Sequence, residues 1–244
     1  MDEITLFNIP ITNITLDETI SLILKTLAGQ KFVQMHFVNA HCVNISRTDT
    51  AYLELLQNSD YIFADGVGMK IAASILSSPL ADNVNGTDLY PLLLDALEGT
   101  GYRIYLLGAD PGIAEEMQRR ALETHPDLIF CGTHHGFIPP EDNEDVVQQI
   151  RQSKADLLLV AMGVPSQEKW INQNLEKTGA KLGMGVGGLF NFYSGNIPRA
   201  PMIFRKAGLE WLHRLCMEPR RMWQRYLIGN LKFLWLTIRL RFRP

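Results

Sequence analysis

Short apolar runs alternate along the chain with longer segments in which apolar residues recur every three or four positions; the former read as strands and the latter as helices. Strands are expected at 32–38, 61–64, 103–107, 128–133, 157–161 and 181–186. Helices are expected at 16–27, 48–58, 68–75, 87–97, 112–123, 142–153 and 166–177, the first with Thr15 as N-cap and Asp17 and Glu18 in its opening turn. This alternation predicts an α/β fold, a doubly wound, mostly parallel, Rossmann-like sheet with helices on both faces. Residues 4–14 predict a small hairpin turning at Asn8-Ile9-Pro10. Pro198 and Pro201 resist continuation of helix or central strand and mark a boundary between a core over 1–198 and an appendage over 199–244. Two helices are expected in the appendage, 204–217 and 219–241, with Pro219 in the first turn of the second.

Composition refines this picture. A chain of 244 residues, 46% hydrophobic and 20% charged, can bury one sizeable core. The net charge of -3 is unevenly spread: residues 199–244 hold eleven Lys or Arg against two Asp or Glu, residues 1–198 twelve against twenty-four. Cys42, Cys131 and Cys216 are widely spaced and odd in number, which suits thiols in a reducing, cytoplasmic compartment. The first residues lack the pattern of a secretory signal, and the apolar run at 227–238 falls well short of the roughly 20 residues a membrane span needs. In the last helix, Trp223, Leu227, Leu231, Leu234 and Ile238 share one face, and Arg221, Arg225, Lys232 and Arg239 another. Such a helix either lies in a membrane interface or docks on the protein's own core. The coincidence of cations and aromatics favours the membrane, and the acidic globule disfavours nucleic acid.

Ligands of open parallel sheets bind beyond the carboxyl ends of the strands. There the sequence offers Asn39, Asp65-Gly66, Gly108-Ala109, Phe137, Gly163 with Gln167, and Gly187 with Asn191. Asp65 ends an apolar strand before Gly66 and Gly68, and reads equally as a general base or as a helix N-cap. Asn39 could bond a sugar hydroxyl or satisfy strand-end backbone groups. The turns at 108–112 and 163–167 each lead from strand to helix and suit a diphosphate, although close packing explains glycines there as well. A phosphate-binding P-loop and the G-x-G-x-x-G fingerprint are both missing. His134-His135 lacks a third ligand at suitable spacing, and no Asp-x-Asp pair occurs, so no metal site is expected.

The motifs Ala64-Asp65-Gly66-Val67-Gly68, Asn85-Gly86-Thr87-Asp88-Leu89, Leu107-Gly108-Ala109-x-Pro111-Gly112, Gly163-Val164-Pro165-x-Gln167-Glu168-x-Trp170, Arg199-Ala200-Pro201, Gly208-Leu209-Glu210-Trp211-Leu212 and Glu218-Pro219-x-Arg221 together resemble the WecG/TagA/CpsF glycosyltransferases of bacterial envelope polysaccharide synthesis. The resemblance spans nearly the whole chain. It implies inverting, metal-independent transfer of a hexose-type sugar from a UDP-sugar to a polyprenyl-diphosphate-linked saccharide, without a cofactor, by an enzyme peripheral on the inner face of the cell membrane. A homo-oligomer is left open.

By the same resemblance Asp65 is the catalytic base, with Asn39 beside it. Gln167 and the loops around Ala109, Phe137 and Asn191, with Gly108, Gly163 and Gly187, form the UDP-sugar site. Arg214, Arg221 and Arg225 close over the cleft and meet phosphates. Phe37, Asn83 and Asn191 depart from the family's usual Thr, Arg and Asp. Two other readings stand beside this one: a nucleotide-binding oxidoreductase on a Rossmann-like sheet, and a non-enzymatic membrane-associated scaffold.

Overall fold

The computed structural model describes residues 2–242; Arg243 and Pro244, assigned above to the appendage, lie outside the described residues. Eight strands are present among the described residues: β1 (Glu3–Leu6), β2 (Ile9–Thr12), β3 (Val33–Val38), β4 (Tyr61–Ala64), β5 (Arg103–Gly108), β6 (Ile129–His134), β7 (Leu157–Ala161) and β8 (Leu182–Gly185). The last six form one sheet in the order β4-β3-β8-β7-β5-β6, every neighbouring pair parallel.

β7 and β8 are buried at every position, as strands covered on both faces must be. On one face Ile23, Leu27, Leu93, Leu97 and Met117 pack against Met35, Leu106, Leu159 and Met184. On the other, Val146, Val147, Ile150, Ile171 and Leu175 meet Tyr105, Leu107, Leu158 and Val160. Alternate sheet residues thus face opposite helical layers, which is the doubly wound arrangement. The helix Leu16–Ala28 starts where expected, because Thr15 and Glu18 form a reciprocal capping box.

The hairpin turns at Phe7-Asn8, whose φ angles of 56° and 64° match the right-handed twist of the flanking strands. Pro10, expected in that turn, instead lies inside β2 opposite Thr5. A helix that the periodicity does not announce, Ala40–Ser46, follows β3 directly; Asn39 caps it by accepting from the backbone N–H groups of His41 and Cys42. The helix expected at 48–58 begins at Thr50, capped by Asp49.

The appendage differs from its expected two helices. The first is cut into Met202–Lys206 and Glu210–Met217. Between them Gly208 has φ +70°, and a Cβ there would stand 3.0 Å from Val67, so the appendage meets the start of the helix that follows β4 at a point only glycine fits. The second is continuous in direction but composite: Pro219–Trp223, a π-helical Gln224–Ile228, and Gly229–Arg241.

Docking on the protein's own core is met for that second helix, but by a face other than the one read from periodicity. Phe233 and Leu236 are buried in the cluster formed by Val38, Cys42, Val43, Met69 and Ala73, and Phe233 lies 5.1 Å, centroid to centroid, from Phe7. Trp223, Leu227, Leu231, Leu234 and Ile238, the face read from periodicity, remain exposed together with Trp235. Phe233→Ala should destabilise the protein by about 3–5 kcal/mol, read as a lower urea midpoint at unchanged slope.

Candidate active site

The strand order places β3 and β4 on one side of β8 and β7, and β5 and β6 on the other, so chain direction across the sheet reverses at its centre and a crevice opens over the carboxyl ends there. A cleft of about 480 Å³ occupies this crevice. Asn39, Asp65, Ala109, Phe137, Gly163, Gln167, Gly187, Asn191, Arg214, Arg221 and Arg225 all line it. Residues from six strand ends and from the appendage therefore meet in one place.

Gly108 is the exception among the expected donor-site residues. It does not line the cleft; at φ +139° its missing Cβ leaves room for the backbone of Ala161, which a side chain would meet at 2.5 Å. Close approach of β5 to β7 explains this glycine, the packing alternative weighed above.

Asp65 stands at one end of the cleft. The following helix, Val67–Ile75, has Gly66 as its N-cap and no side-chain cap bond, so Asp65 does not serve as the cap. Its Oδ2 accepts from Asn39 Nδ2 at 3.2 Å. Asn39 thus does two things at once, capping its own helix with its carbonyl oxygen and holding Asp65 with its amide. Burial raises the Asp65 carboxyl above the usual carboxylate range; the Asn39 hydrogen bond and the Arg225 and Arg214 charges oppose that rise, and Asp88 adds to it. A carboxyl raised in this way is a stronger proton acceptor in its ionised form than an exposed aspartate.

The backbone beside Asp65 is held by Asn83, whose Oδ1 accepts from the Gly66 N–H at 2.6 Å. Asn83→Ala should lower turnover about tenfold without altering the melting temperature by more than a few degrees, since it frees the peptide that carries Asp65.

The opposite end is built from backbone turns. Ala109, at φ 59°, accepts through its carbonyl from the Gly136 N–H at 2.8 Å, joining the β5 and β6 loops. Helix Ile113–Thr124 starts at Gly112 and helix Ser166–Thr178 at Pro165, neither with a side-chain cap bond; backbone bonds close both turns, Ile113 N–H donating to the Asp110 carbonyl at 3.1 Å and Gln167 N–H to the Gly163 carbonyl at 2.9 Å. Phe137 is 66% exposed and presents a free ring face at the rim. Asn191 accepts from Asn196 Nδ2 at 2.8 Å, and Asn196 is itself a lining residue.

Three arginines of the appendage form the remaining wall. Arg214 lies over the Phe192 ring at 5.3 Å and donates to Glu218 at 3.4 Å; Arg221 donates to the same carboxylate at 2.8 Å. Arg225 sits in the π-helical turn, a kind of helix defect that often accompanies functional sites. Its Nε is buried with no hydrogen-bond partner among the described residues. Converging guanidinium groups of this kind match the oxygens of a diphosphate.

Sequence reasoning missed Glu218 as a cleft residue, together with Phe37, Thr87 and Asn196. Glu218 precedes Pro219 at a helix start, where a carboxylate reads locally as a favourable helix-end charge; its bonds to Arg214 and Arg221 span three and four residues and were accessible from spacing. Beneath the cleft Glu168 is fully buried, and burial pushes its carboxyl up to about 7. Between about pH 4.5 and 7 the unfolded chain has released this proton while the folded one retains it, so this group makes stability fall as pH rises through that window. Glu168→Gln should flatten that part of the stability profile, measured by urea midpoints from pH 4.5 to 7.5.

A parallel sheet whose ligand crevice brings a half-buried carboxylate together with three arginines has the layout of a group-transfer enzyme. The chain belongs to the glycosyl transferase WecG/TagA/CpsF family, whose model matches residues 4–244, and it is accordingly a glycosyltransferase.

Curated relatives named N-acetylglucosaminyldiphosphoundecaprenol N-acetyl-beta-D-mannosaminyltransferase, from Staphylococcus aureus strains MRSA252, MW2 and NCTC 8325, are each 34% identical over 232 residues, covering 94% of this chain and 88% of theirs. A nicotinate phosphoribosyltransferase from Vibrio cholerae shares 13% identity at a TM-score of 0.22, over 80% of this chain and 48% of that one, too slight a likeness to bear on function. Family membership replaces both the oxidoreductase and the non-enzymatic scaffold readings.

Proposed function

We propose that this enzyme moves an N-acetylhexosamine from a UDP-sugar to a saccharide carried on a polyprenyl diphosphate, with inversion and without a metal ion. The observation that carries the reading is the juxtaposition of Asp65 with Arg214, Arg221 and Arg225 in one cleft. The names of the Staphylococcus aureus relatives support the sugar and acceptor classes.

Asp65 takes the proton of the acceptor hydroxyl as that oxygen bonds to the anomeric carbon of the donor. The bond from that carbon to the UDP oxygen breaks on the opposite face, and the electron pair leaves with UDP. Charge grows on the departing diphosphate, where the three arginines stabilise it. Among the described residues no group of three or more His, Cys, Asp or Glu is placed to hold a metal ion, so the cationic wall is assigned this task. Phe137 stacks the uracil, and Gln167, Gly163, Gly187 and Asn191 line the path of the diphosphate and sugar. Turnover unchanged by EDTA is expected; its abolition, with rescue by one divalent ion, would overturn the metal-independent assignment.

No helix among the described residues is long and apolar enough to cross a membrane. We assign membrane contact to the exposed face of the last helix, where Leu231 at 70% and Trp235 at 60% exposure stand beside Arg239, whose guanidinium lies over the Trp235 ring at 5.2 Å. This face lies on the same helical run as Arg225, so one element serves both acceptor access and leaving-group charge. Leu231→Ser combined with Trp235→Ser should lower co-sedimentation with anionic vesicles at least about tenfold and leave UDP binding unchanged. Equal sedimentation of both forms would contradict the assignment.

A further inference from the structure

Gln167 is buried at the floor of the cleft, and its amide is held from both sides. Its Oε1 accepts from the backbone N–H of Gly187 at 2.9 Å, and its Nε2 donates to Glu168 Oε1 at 2.9 Å. The two bonds together fix which way the amide faces. With Oε1 committed to Gly187, only an acceptor can satisfy the hydrogen directed at Glu168. β8 makes room for this arrangement, because at Gly185 a Cβ would stand 2.9 Å from Gln167 Nε2.

Glu168 itself reaches no ligand: it is fully buried and does not line the cleft. Its second oxygen, Oε2, has no hydrogen-bond partner among the described residues. Burial raises the Cys42 thiol and the Tyr52 phenol, and the charge of Glu168 adds to both rises. A buried carboxyl of this kind costs free energy that an apolar side chain would not, and among the described residues the side-chain hydrogen bond it makes goes to Gln167 of the cleft floor.

We propose that Glu168 is a positioning residue for the donor site: it locks the Gln167 amide, and through Gln167 the Gly187 backbone, in the orientation that receives the UDP-sugar. The proposal rests on the reading of Gln167 as a donor-site residue. One N–H of Gln167 remains for the ligand once Glu168 and Gly187 are served. Without the Glu168 acceptor the amide gains an alternative orientation in which its oxygen faces the apolar side and Gly187 loses its partner. The cleft floor would then sample arrangements that do not match the donor, and donor affinity would fall.

A double-mutant cycle tests this. E168M matches glutamate in length and has no comparable acceptor; it should raise the donor KM about tenfold with kcat reduced less than threefold, whereas E168Q, whose carbonyl can accept the same bond, should stay within about twofold of wild type. Q167A alone should raise KM by a similar factor, and E168M should add nothing in the Q167A background. Additive effects would mean that Glu168 acts on general stability and would overturn the proposal. A wild-type KM in E168M would do the same. Should E168M fail to fold, E168D keeps the carboxylate but withdraws it by one methylene; a wild-type KM in E168D then overturns the proposal. An unchanged KM in Q167A would instead remove the donor-site role of Gln167, a failure of the functional reading separable from this one.

Discussion

Asp65→Asn should lower sugar transfer by about a thousandfold or more while UDP still binds with near wild-type affinity, since general-base catalysis contributes roughly 10²–10⁴ in rate. The amide is isosteric with the carboxylate but cannot take the acceptor proton. Its neighbours stay in place: Gly66 remains held by Asn83, and Asn39 continues to cap its own helix. The loss should therefore fall on kcat, with the fold intact by circular dichroism. The wild-type pH profile carries the same signature. Burial raises the Asp65 carboxyl, so kcat should fall on acidification with an apparent midpoint above about 4, the ordinary carboxylate value. The active form is the ionised one, so activity is present above that midpoint and lost below it. Retention of more than a tenth of wild-type turnover in Asp65→Asn would remove Asp65 from the base role.

The second large effect concerns the arginine wall. Arg225→Ala should cost about a hundredfold in kcat, in line with removal of a single donor aimed at developing charge. The combined loss of Arg214, Arg221 and Arg225 should approach the effect of losing Asp65. Arg225 carries most of the prediction because its Nε is buried and unclaimed among the described residues, whereas Arg214 and Arg221 already share Glu218. Arg225→Lys should recover only part of the loss, since an ammonium group cannot offer the planar two-pronged contact. Rates with a soluble short-chain acceptor separate this effect from membrane attachment. Full activity of the alanine variant on such an acceptor would confine Arg225 to the membrane.

Most of the sheet was legible in the sequence because its strands are buried on both faces and read as uninterrupted apolar runs, as at Leu157–Ala161. The site was legible for a related reason. Parallel topology brings the residues after each strand together, so Asn39, Asp65, Ala109, Gln167 and Gly187 could be gathered without knowing the strand order. What escaped depended on side chains acting over short distances. The helix Ala40–Ser46 is only seven residues long and rests on the Asn39 cap more than on periodicity. Gly108 and Gly163 look alike in sequence, and only the closeness of Ala161 to the former separates a packing glycine from a lining one.

The last helix misled by carrying two apolar faces. Periodicity finds Trp223, Leu227, Leu231, Leu234 and Ile238, but a second set headed by Phe233 and Leu236 is the one that docks. Glu168 was visible in a motif, yet nothing in its spacing announced that it would be fully buried beneath the cleft floor.

The central claim is that one cleft joins a base, a cationic wall and a nucleotide-sugar site for inverting transfer to a lipid-linked saccharide. It is tested most directly by incubating the protein with UDP-N-acetylhexosamines and a short-chain prenyl-diphosphate saccharide, then analysing the product by mass spectrometry and the anomeric coupling by NMR. The expected result is an acceptor heavier by one N-acetylhexosamine, β-linked, with one UDP released for each sugar transferred. UDP release without a glycosylated acceptor, or a product that keeps the donor's anomeric configuration, would contradict it.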